Sequence, residues 1–307
     1  MTRIALCFPG QGSQAAGMAG DLLDDPLAAR LLEVAAADGL DLRTALGGSD
    51  EQLRPTEIAQ PSLVLAELVL AARLPAELEV VGVAGHSVGE YAAVSVAGAY
   101  APEDVMRLVI RRGREMASMT EGTMAAVLGL EAAAVEEACA DTRQGGEVVV
   151  VANLNAPGQT VISGTVAGVD RAAVLARERG ARRVVTLNVS GAFHSPLMAP
   201  AAARLAPVIE ATPRQELRIP VVCNVDGAIV EHAADIPPRL AAQLEAPVRW
   251  TDCVAGLVSL GAEWIVEVGP GSVLTGLTRR IAPTVSAATV GDLAAAAALA
   301  TLRTAPA

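Results

Sequence analysis

The stretch Leu78–Glu90, LEVVGVAGHSVGE, decides the fold. Its apolar run Leu78–Ala84 predicts a buried parallel strand. Gly85–Gly89 supplies the small residues of a tight turn, and Glu90–Ala99 continues as a helix. A strand, a glycine-flanked turn and a helix in this order are typical of an α/β sheet, whose functional groups lie at the carboxyl ends of its strands.

The turn matches the pattern G-x-S-x-G, with Ser87 at its centre. A serine on a sharp strand-to-helix turn faces an incoming substrate, and the flanking glycines allow strained backbone angles. The N-terminus of the next helix offers N–H groups to an oxyanion. The same pattern arises by chance in small-residue loops, so a turn serine without chemistry is the alternative. The predicted strand and helix on either side favour a nucleophile.

A serine nucleophile needs a base, and the chain has three histidines. His86 is adjacent to Ser87, so its side chain should point away from that of the serine. His232 lies in a polar stretch and is expected to be solvated. His194 follows a predicted strand and precedes a predicted helix, which makes it the candidate base; a purely structural histidine is the alternative.

Apolar runs and helical spacing outline the rest of the large domain. Arg3–Phe8 predicts a buried strand, and the glycine-rich loop Pro9–Gln14 follows it. This loop lacks the spacing and the lysine of a phosphate-binding loop, so delivery of a backbone N–H to an oxyanion is the preferred interpretation over a plain connection. The remaining predictions are helices at Leu22–Leu46, Ser62–Arg73, Val105–Met116, Pro196–Glu210, Val254–Leu260, from Ser272 and at Asp292–Leu302, with strands at Ile219–Val225 and Glu263–Val268.

The middle of the chain has a different pattern. Between residues 122 and 188 the predicted order is βαββαβ, which is ferredoxin-like. We therefore expect an inserted ferredoxin-like subdomain at 122–188 within a large hydrolase-like α/β domain formed by 1–121 and 189–307.

Composition excludes several classes of function. The 307 residues carry a net charge of −11 and only 2% aromatic residues, which argues against nucleic-acid binding and against an anionic membrane surface. All 23 basic residues are arginine, so lysine chemistry is excluded. The four cysteines are widely spaced, which favours free thiols in a reducing compartment. We find neither a signal peptide nor an apolar run long enough to span a membrane, and expect a cytoplasmic protein.

The predicted helix Val105–Met116 carries four arginines. Arg107, Arg111 and Arg114 fall on one stripe, which is typical of a solvated face. Arg112 lies off that stripe and could turn inward, where a guanidinium needs an anionic partner such as a carboxylate. Spacing alone leaves this open.

Together these motifs resemble the malonyl-CoA:acyl carrier protein transacylase family, which includes bacterial fatty-acid enzymes and polyketide synthase acyltransferases. The resemblance covers nearly the whole chain. It rests on Phe8–Gln14, Gly85–Tyr91, Arg112-Gly113, Asn155–Gln159 with Val161–Gly164, Gly191–Ser195, and Gln243 with Pro247–Trp250, Glu267–Gly271 and Leu274–Leu277.

The resemblance implies a role for each matching residue. Ser87 would attack the thioester, His194 would take and return its proton, and the backbone carbonyl of Gln243 would hold the imidazole. Backbone N–H groups of Gln11 and Val88 would bind the oxyanion. The substrate-binding residues would be Arg112, which clamps the malonyl carboxylate, together with Phe193 and Asn155.

The implied reaction is ping-pong transfer of malonyl from malonyl-CoA to the phosphopantetheine thiol of an acyl carrier protein, without a metal or other cofactor. In the related polyketide enzymes a Phe at the position of Phe193 accompanies malonyl selection, so we expect malonyl over methylmalonyl. Carrier proteins of this class are acidic. Docking therefore needs a local basic patch, for which the candidates are Arg182, Arg183, Arg279 and Arg280.

Other functions remain open from the sequence. The chain could be a polyketide acyltransferase acting in trans, with another extender unit. A serine thioesterase or esterase would use Asp170 as its acid, but Asp170 lies in a predicted helix and Arg112 would have no role. A non-catalytic carrier-binding scaffold would not need Ser87, His194 and Arg112 together.

Overall fold

A computed structural model of the chain describes residues 2–299. Its larger sheet has six strands in the order β10-β9-β1-β2-β7-β8. All neighbouring pairs in it are parallel except β7 and β8. These strands are β1 (Arg3–Phe8), β2 (Glu79–Gly85), β7 (Val221–Val222), β8 (Ile229–Val230), β9 (Trp264–Val268) and β10 (Ser286–Val290).

The smaller sheet is antiparallel, with the order β4-β5-β3-β6. Two helices pack on it, so that the chain order is βαββαβ. This is the ferredoxin-like arrangement and, with the parallel sheet, it confirms the predicted fold class. The elements are β3 (Thr123–Leu128), α6 (Ala132–Gln144), β4 (Val149–Ala156), β5 (Gln159–Gly164), α7 (Val166–Glu178) and β6 (Arg183–Thr186).

The other helices cover the larger sheet. Mainly aliphatic side chains on both faces of this sheet form two cores, in keeping with a chain poor in aromatic residues. The helices are α1 (Pro26–Ala37), α2 (Leu42–Leu46), α3 (Thr56–Ala72), α4 (Gly89–Val96), α5 (Pro102–Ala117), α8 (Ala199–Ala211), α9 (Ile236–Ala242), α10 (Trp250–Ser259), α11 (Val273–Ile281) and α12 (Leu293–Ala298).

Several predicted elements differ from the structure. The segment Leu22–Leu46, predicted to be helical, forms two helices. Asp25 caps the start of α1, and the chain leaves the helical path after α1 at Gly39, whose φ is 74°. The predicted strand Ile219–Val225 shortens to β7. The edge strands β8 and β10 were not predicted. The part of the predicted helix Asp292–Leu302 beyond residue 299 lies outside the described residues.

All four strands of the smaller sheet lie within the segment 122–188. The division of the chain at those boundaries stays a proposal. Backbone hydrogen bonds join β4 to the segment that precedes α10: Leu154 N–H donates to Val248 O at 2.9 Å, and Val248 N–H donates to Ala152 O at 2.8 Å. The smaller sheet is therefore attached to the larger part through β4.

Candidate active site

The turn after β2 is held in a strained conformation. Ser87 has a backbone φ of 52°, a value that residues other than glycine rarely adopt. A side chain at Gly85 would clash with the backbone of Gly89, and one at Gly89 would clash with the carbonyl of Phe8. Both glycines are therefore required by close backbone approach. Ser87 is presented at the carboxyl end of β2, where α4 begins.

His194 contacts the Ser87 hydroxyl. The Nε2 atom of His194 lies 2.8 Å from Ser87 Oγ, and its Nδ1 atom lies 2.8 Å from the backbone carbonyl of Gln243. A carbonyl can only accept, so Nδ1 carries the proton and Nε2 is free to accept the serine proton. Burial, with a further contribution from the Arg112 charge, lowers the pKa of His194 to about 3. The imidazole is therefore neutral at physiological pH.

Arg112 reaches the same hydroxyl from α5. Its Nη2 atom donates to Ser87 Oγ at 3.1 Å and to Gln243 Oε1 at 2.9 Å, and its Nη1 atom donates to Gln60 Oε1 at 2.7 Å. The Arg112 side chain is buried, and its Cζ lies 5.5 Å from the centre of the Tyr91 ring. The inward orientation that the spacing left open is the one observed, whereas Arg107, Arg111 and Arg114 are exposed.

The Arg112 guanidinium has no ionic partner among residues 2–299. Its three acceptors are uncharged, and no carboxylate lies within salt-bridge distance of it. Burial lowers the pKa of this guanidinium. An unpaired buried cation is costly, and a ligand carboxylate next to Ser87 would offset that cost.

The loop after β1 lies against the Ser87 turn. His86 N–H donates to Phe8 O at 2.8 Å, and a side chain at Gly10 would come within 2.7 Å of His86 O. The backbone N–H groups of Gln11 and Val88 make no hydrogen bond to any described residue. Two unpaired N–H groups therefore flank the serine turn, as an oxyanion hole requires.

A cavity of about 180 Å³ opens at Ser87 between the two sheets. Phe193 lines it beside His194, and Met116 lies on the Arg112 side. Asn155 also lines it, and its Oδ1 atom is bonded to His86 Nε2 at 2.9 Å. The whole lining is Gln11, Gln60, His86, Ser87, Val88, Arg112, Met116, Met124, Asn153, Asn155, Val161, Leu187, Val189, Phe193 and His194.

The cavity lining includes seven of the eight residues predicted for the site. The eighth, Gln243, lies behind the lining and contacts His194 and Arg112. Sequence reasoning assigned Gln243 only a backbone role and missed Gln60, Glu90 and Asn224. Asn224 Oδ1 accepts the Ser87 N–H at 2.8 Å, and Glu90 accepts from Gln243. The available signal was weak: Gln60 is one of several polar residues in a largely apolar helix, and Asn224 follows a short strand.

Other predicted features are placed away from the cavity. His232 is exposed, as expected. Arg182, Arg183 and Arg280 line one surface groove, but Arg279 does not. Within residues 2–299 no set of His, Cys, Asp and Glu side chains is arranged to hold a metal ion. No described helix has both the length and the apolar surface needed to cross a membrane.

The α/β core, the strained serine turn and the Ser87–His194 pair are typical of the class of serine-dependent α/β enzymes. Comparison with known proteins then gives the family: the chain belongs to the acyl transferase domain family, whose model matches residues 6–304.

Individual relatives are similar over nearly their whole length. The malonyl CoA-acyl carrier protein transacylase of Bacillus subtilis is 39% identical over 92% of this chain and 91% of the relative. The crystal structure of malonyl-CoA:acyl carrier protein transacylase from Xanthomonas oryzae is 40% identical, with a TM-score of 0.90 over 98% and 99% of the two chains. A malonyl-transacylase in complex with a type II PKS acyl-carrier protein is 37% identical, with a TM-score of 0.89 over 97% and 98%.

Proposed function

We propose that this enzyme transfers a malonyl group from malonyl-CoA to the phosphopantetheine thiol of an acyl carrier protein, in fatty-acid or polyketide synthesis. The observation that carries this is Arg112, a buried cation without an ionic partner among the described residues, whose Nη2 atom lies 3.1 Å from Ser87 Oγ. A malonyl carboxylate would pair with it while the thioester carbonyl lies at the serine. The names of the similar proteins agree with this substrate.

In the proposed first half-reaction, Ser87 Oγ attacks the thioester carbonyl and passes its proton to His194 Nε2. The N–H groups of Gln11 and Val88 stabilise the negative oxygen of the tetrahedral intermediate. Collapse of the intermediate breaks the carbon–sulfur bond, and the imidazolium gives the proton to the departing CoA sulfur, which leaves as the thiol. Malonyl remains as an ester on Ser87.

The second half-reaction is the reverse, with the carrier thiol as nucleophile. His194 takes the thiol proton, the thiolate attacks the ester, and Ser87 regains its proton. Because the Gln243 carbonyl is uncharged, it orients the imidazole without adding a negative charge at the ring. Phe193 and Asn155 complete the substrate site in this proposal, Phe193 by limiting the size of the acyl group.

Carrier docking needs positive charge near the cavity mouth. Arg182, Arg183 and Arg280 line one groove with Gln159, and Arg280 bonds to Gln159 Oε1 and to Pro157 O. Gln159 also lies with Gln11, His86 and Asn155 along a second surface pocket. We propose that the acidic carrier protein binds at this groove. The four free buried cysteines fit the reducing cytoplasm, where we place the reaction.

The decisive assay measures malonyl-carrier formation and free malonate release, with and without holo acyl carrier protein. A transferase forms malonyl-carrier in proportion to the carrier added and releases little malonate without it. A thioesterase would release malonate at the same rate in both cases, and that result would contradict the proposal.

A further inference from the structure

We propose that Glu90 is a positioning residue that orients the Arg112 guanidinium through the side-chain amide of Gln243, and so contributes to the selection of an acyl group that carries a carboxylate. This inference rests on the proposed function. Glu90 lies in the first turn of α4, three residues after the nucleophile, and its side chain is buried.

The Gln243 amide joins three groups. Its oxygen accepts from Arg112 Nη2 at 2.9 Å, and its nitrogen donates to the Ser87 carbonyl at 2.9 Å and to Glu90 Oε2. An amide that turned over would present its N–H groups to the guanidinium, which is donor against donor. A carboxylate at position 90 can only accept, and it therefore fixes the orientation that holds Arg112.

The groups around the Glu90 carboxylate are hydrogen-bond donors. Asn224 N–H donates to Oε1 at 3.2 Å, opposite the Gln243 contact at Oε2. A protonated Glu90 would add a third donor to this set. The arrangement therefore requires the ionised form.

Charge acts on Glu90 from several elements. The positive charge is Arg112 on α5, while the titratable neutral groups are Tyr91 on α4, Cys223 after β7 and Cys253 on α10. Burial raises the pKa of Glu90 to about 7, against the opposing effects of its hydrogen bonds and of Arg112. Glu90 is therefore ionised above about pH 7 and loses its charge below it.

The experiment compares kcat/KM for transfer of malonyl from malonyl-CoA with kcat/KM for transfer of an uncharged acyl group from acetyl-CoA, both to holo acyl carrier protein. Glu90→Gln keeps the shape of the side chain but sets its amide N–H against one of the two donors. We expect the malonyl-to-acetyl ratio to fall roughly ten- to a hundredfold. The matched control is Glu67→Gln, because Glu67 is equally buried and its oxygens bond to no described residue. This control should leave the ratio unchanged.

A pH series on the wild-type enzyme tests the same claim without any variant. From about pH 9 to about pH 5, the malonyl-to-acetyl ratio should fall through pH 7, whereas Glu90→Gln should hold the lower ratio throughout. A flat wild-type ratio overturns the inference, even if Glu90→Gln does not fold. So does a folded Glu90→Gln with the wild-type ratio. If the wild-type enzyme transfers no malonyl at all, the proposed function itself fails.

Discussion

Two buried side chains contact the Ser87 hydroxyl, the His194 imidazole and the Arg112 guanidinium. They differ in their charge and in the groups that hold them. The His194 imidazole is bonded to a backbone carbonyl and is neutral, because burial and the Arg112 charge oppose its protonation. The Arg112 guanidinium is bonded to the side-chain oxygens of Gln60 and Gln243 and stays charged. In the proposed mechanism the neutral imidazole therefore moves the serine proton, and the charged guanidinium recognises the carboxylate of the acyl group.

The largest effect is expected from replacement of the neutral group, His194. His194→Ala removes the proton acceptor of Ser87, so we expect kcat/KM to fall by roughly 10² to 10⁴ for malonyl-CoA and for acetyl-CoA alike. Steady-state assays of both thioesters check this. A loss confined to malonyl-CoA would break the comparison, because His194 would then be serving the acyl carboxylate.

Replacement of the charged group, Arg112, should affect malonyl and uncharged acyl groups differently. Arg112→Ala removes the partner of the carboxylate, and we expect malonyl transfer to fall about a hundredfold or more while transfer of uncharged acyl groups is kept or rises. The same pair of thioesters measures it. Malonyl transfer that survives in Arg112→Ala, without a shift toward uncharged groups, would show that the guanidinium is not the clamp.

A smaller effect is expected from the cavity wall next to the histidine. Phe193→Ser frees space for an α-methyl group, so kcat/KM for methylmalonyl-CoA relative to malonyl-CoA should rise roughly tenfold. A competition assay with both thioesters gives the ratio directly. If the wild-type enzyme already uses methylmalonyl-CoA as well as malonyl-CoA, Phe193 does not limit the size of the acyl group.

The smallest effect is expected at the surface groove, away from His194 and Arg112. Arg280→Ala should raise KM for the carrier protein a few-fold and weaken its dependence on salt, without changing acylation by malonyl-CoA. Arg279→Ala is the matched control, because Arg279 is also exposed on α11 but does not line the groove. Equal effects of the two variants would place carrier docking elsewhere.

The sequence predicted the positions of Ser87 and His194 better than the orientation of Arg112. Ser87 was predictable because a buried strand, a glycine turn and a helix are local patterns, and His194 followed by elimination among three histidines. The inward orientation of Arg112 was not predictable from spacing, since it depends on Gln60 from α3 and on Gln243, which is 131 positions further along the chain.

Local patterns also missed parts of the fold for a physical reason. The strand β10, SAATV, is too weakly apolar to stand out, and it forms by pairing with β9 at the sheet edge. The carboxylate of Glu90 and the amide of Asn224 meet at the Ser87 turn only after β2 and β7 pair. Contacts of this kind depend on the assembled sheet rather than on neighbouring residues.

The most direct test of the whole account asks whether Ser87 carries the acyl group. The enzyme is incubated with malonyl-CoA radiolabelled in the malonyl group, without carrier protein, then precipitated with acid and counted. Label should remain on the wild-type chain and disappear when holo acyl carrier protein is added before precipitation, and Ser87→Ala should retain none. An unlabelled wild-type chain, or a Ser87→Ala variant labelled to the same extent, would contradict the account.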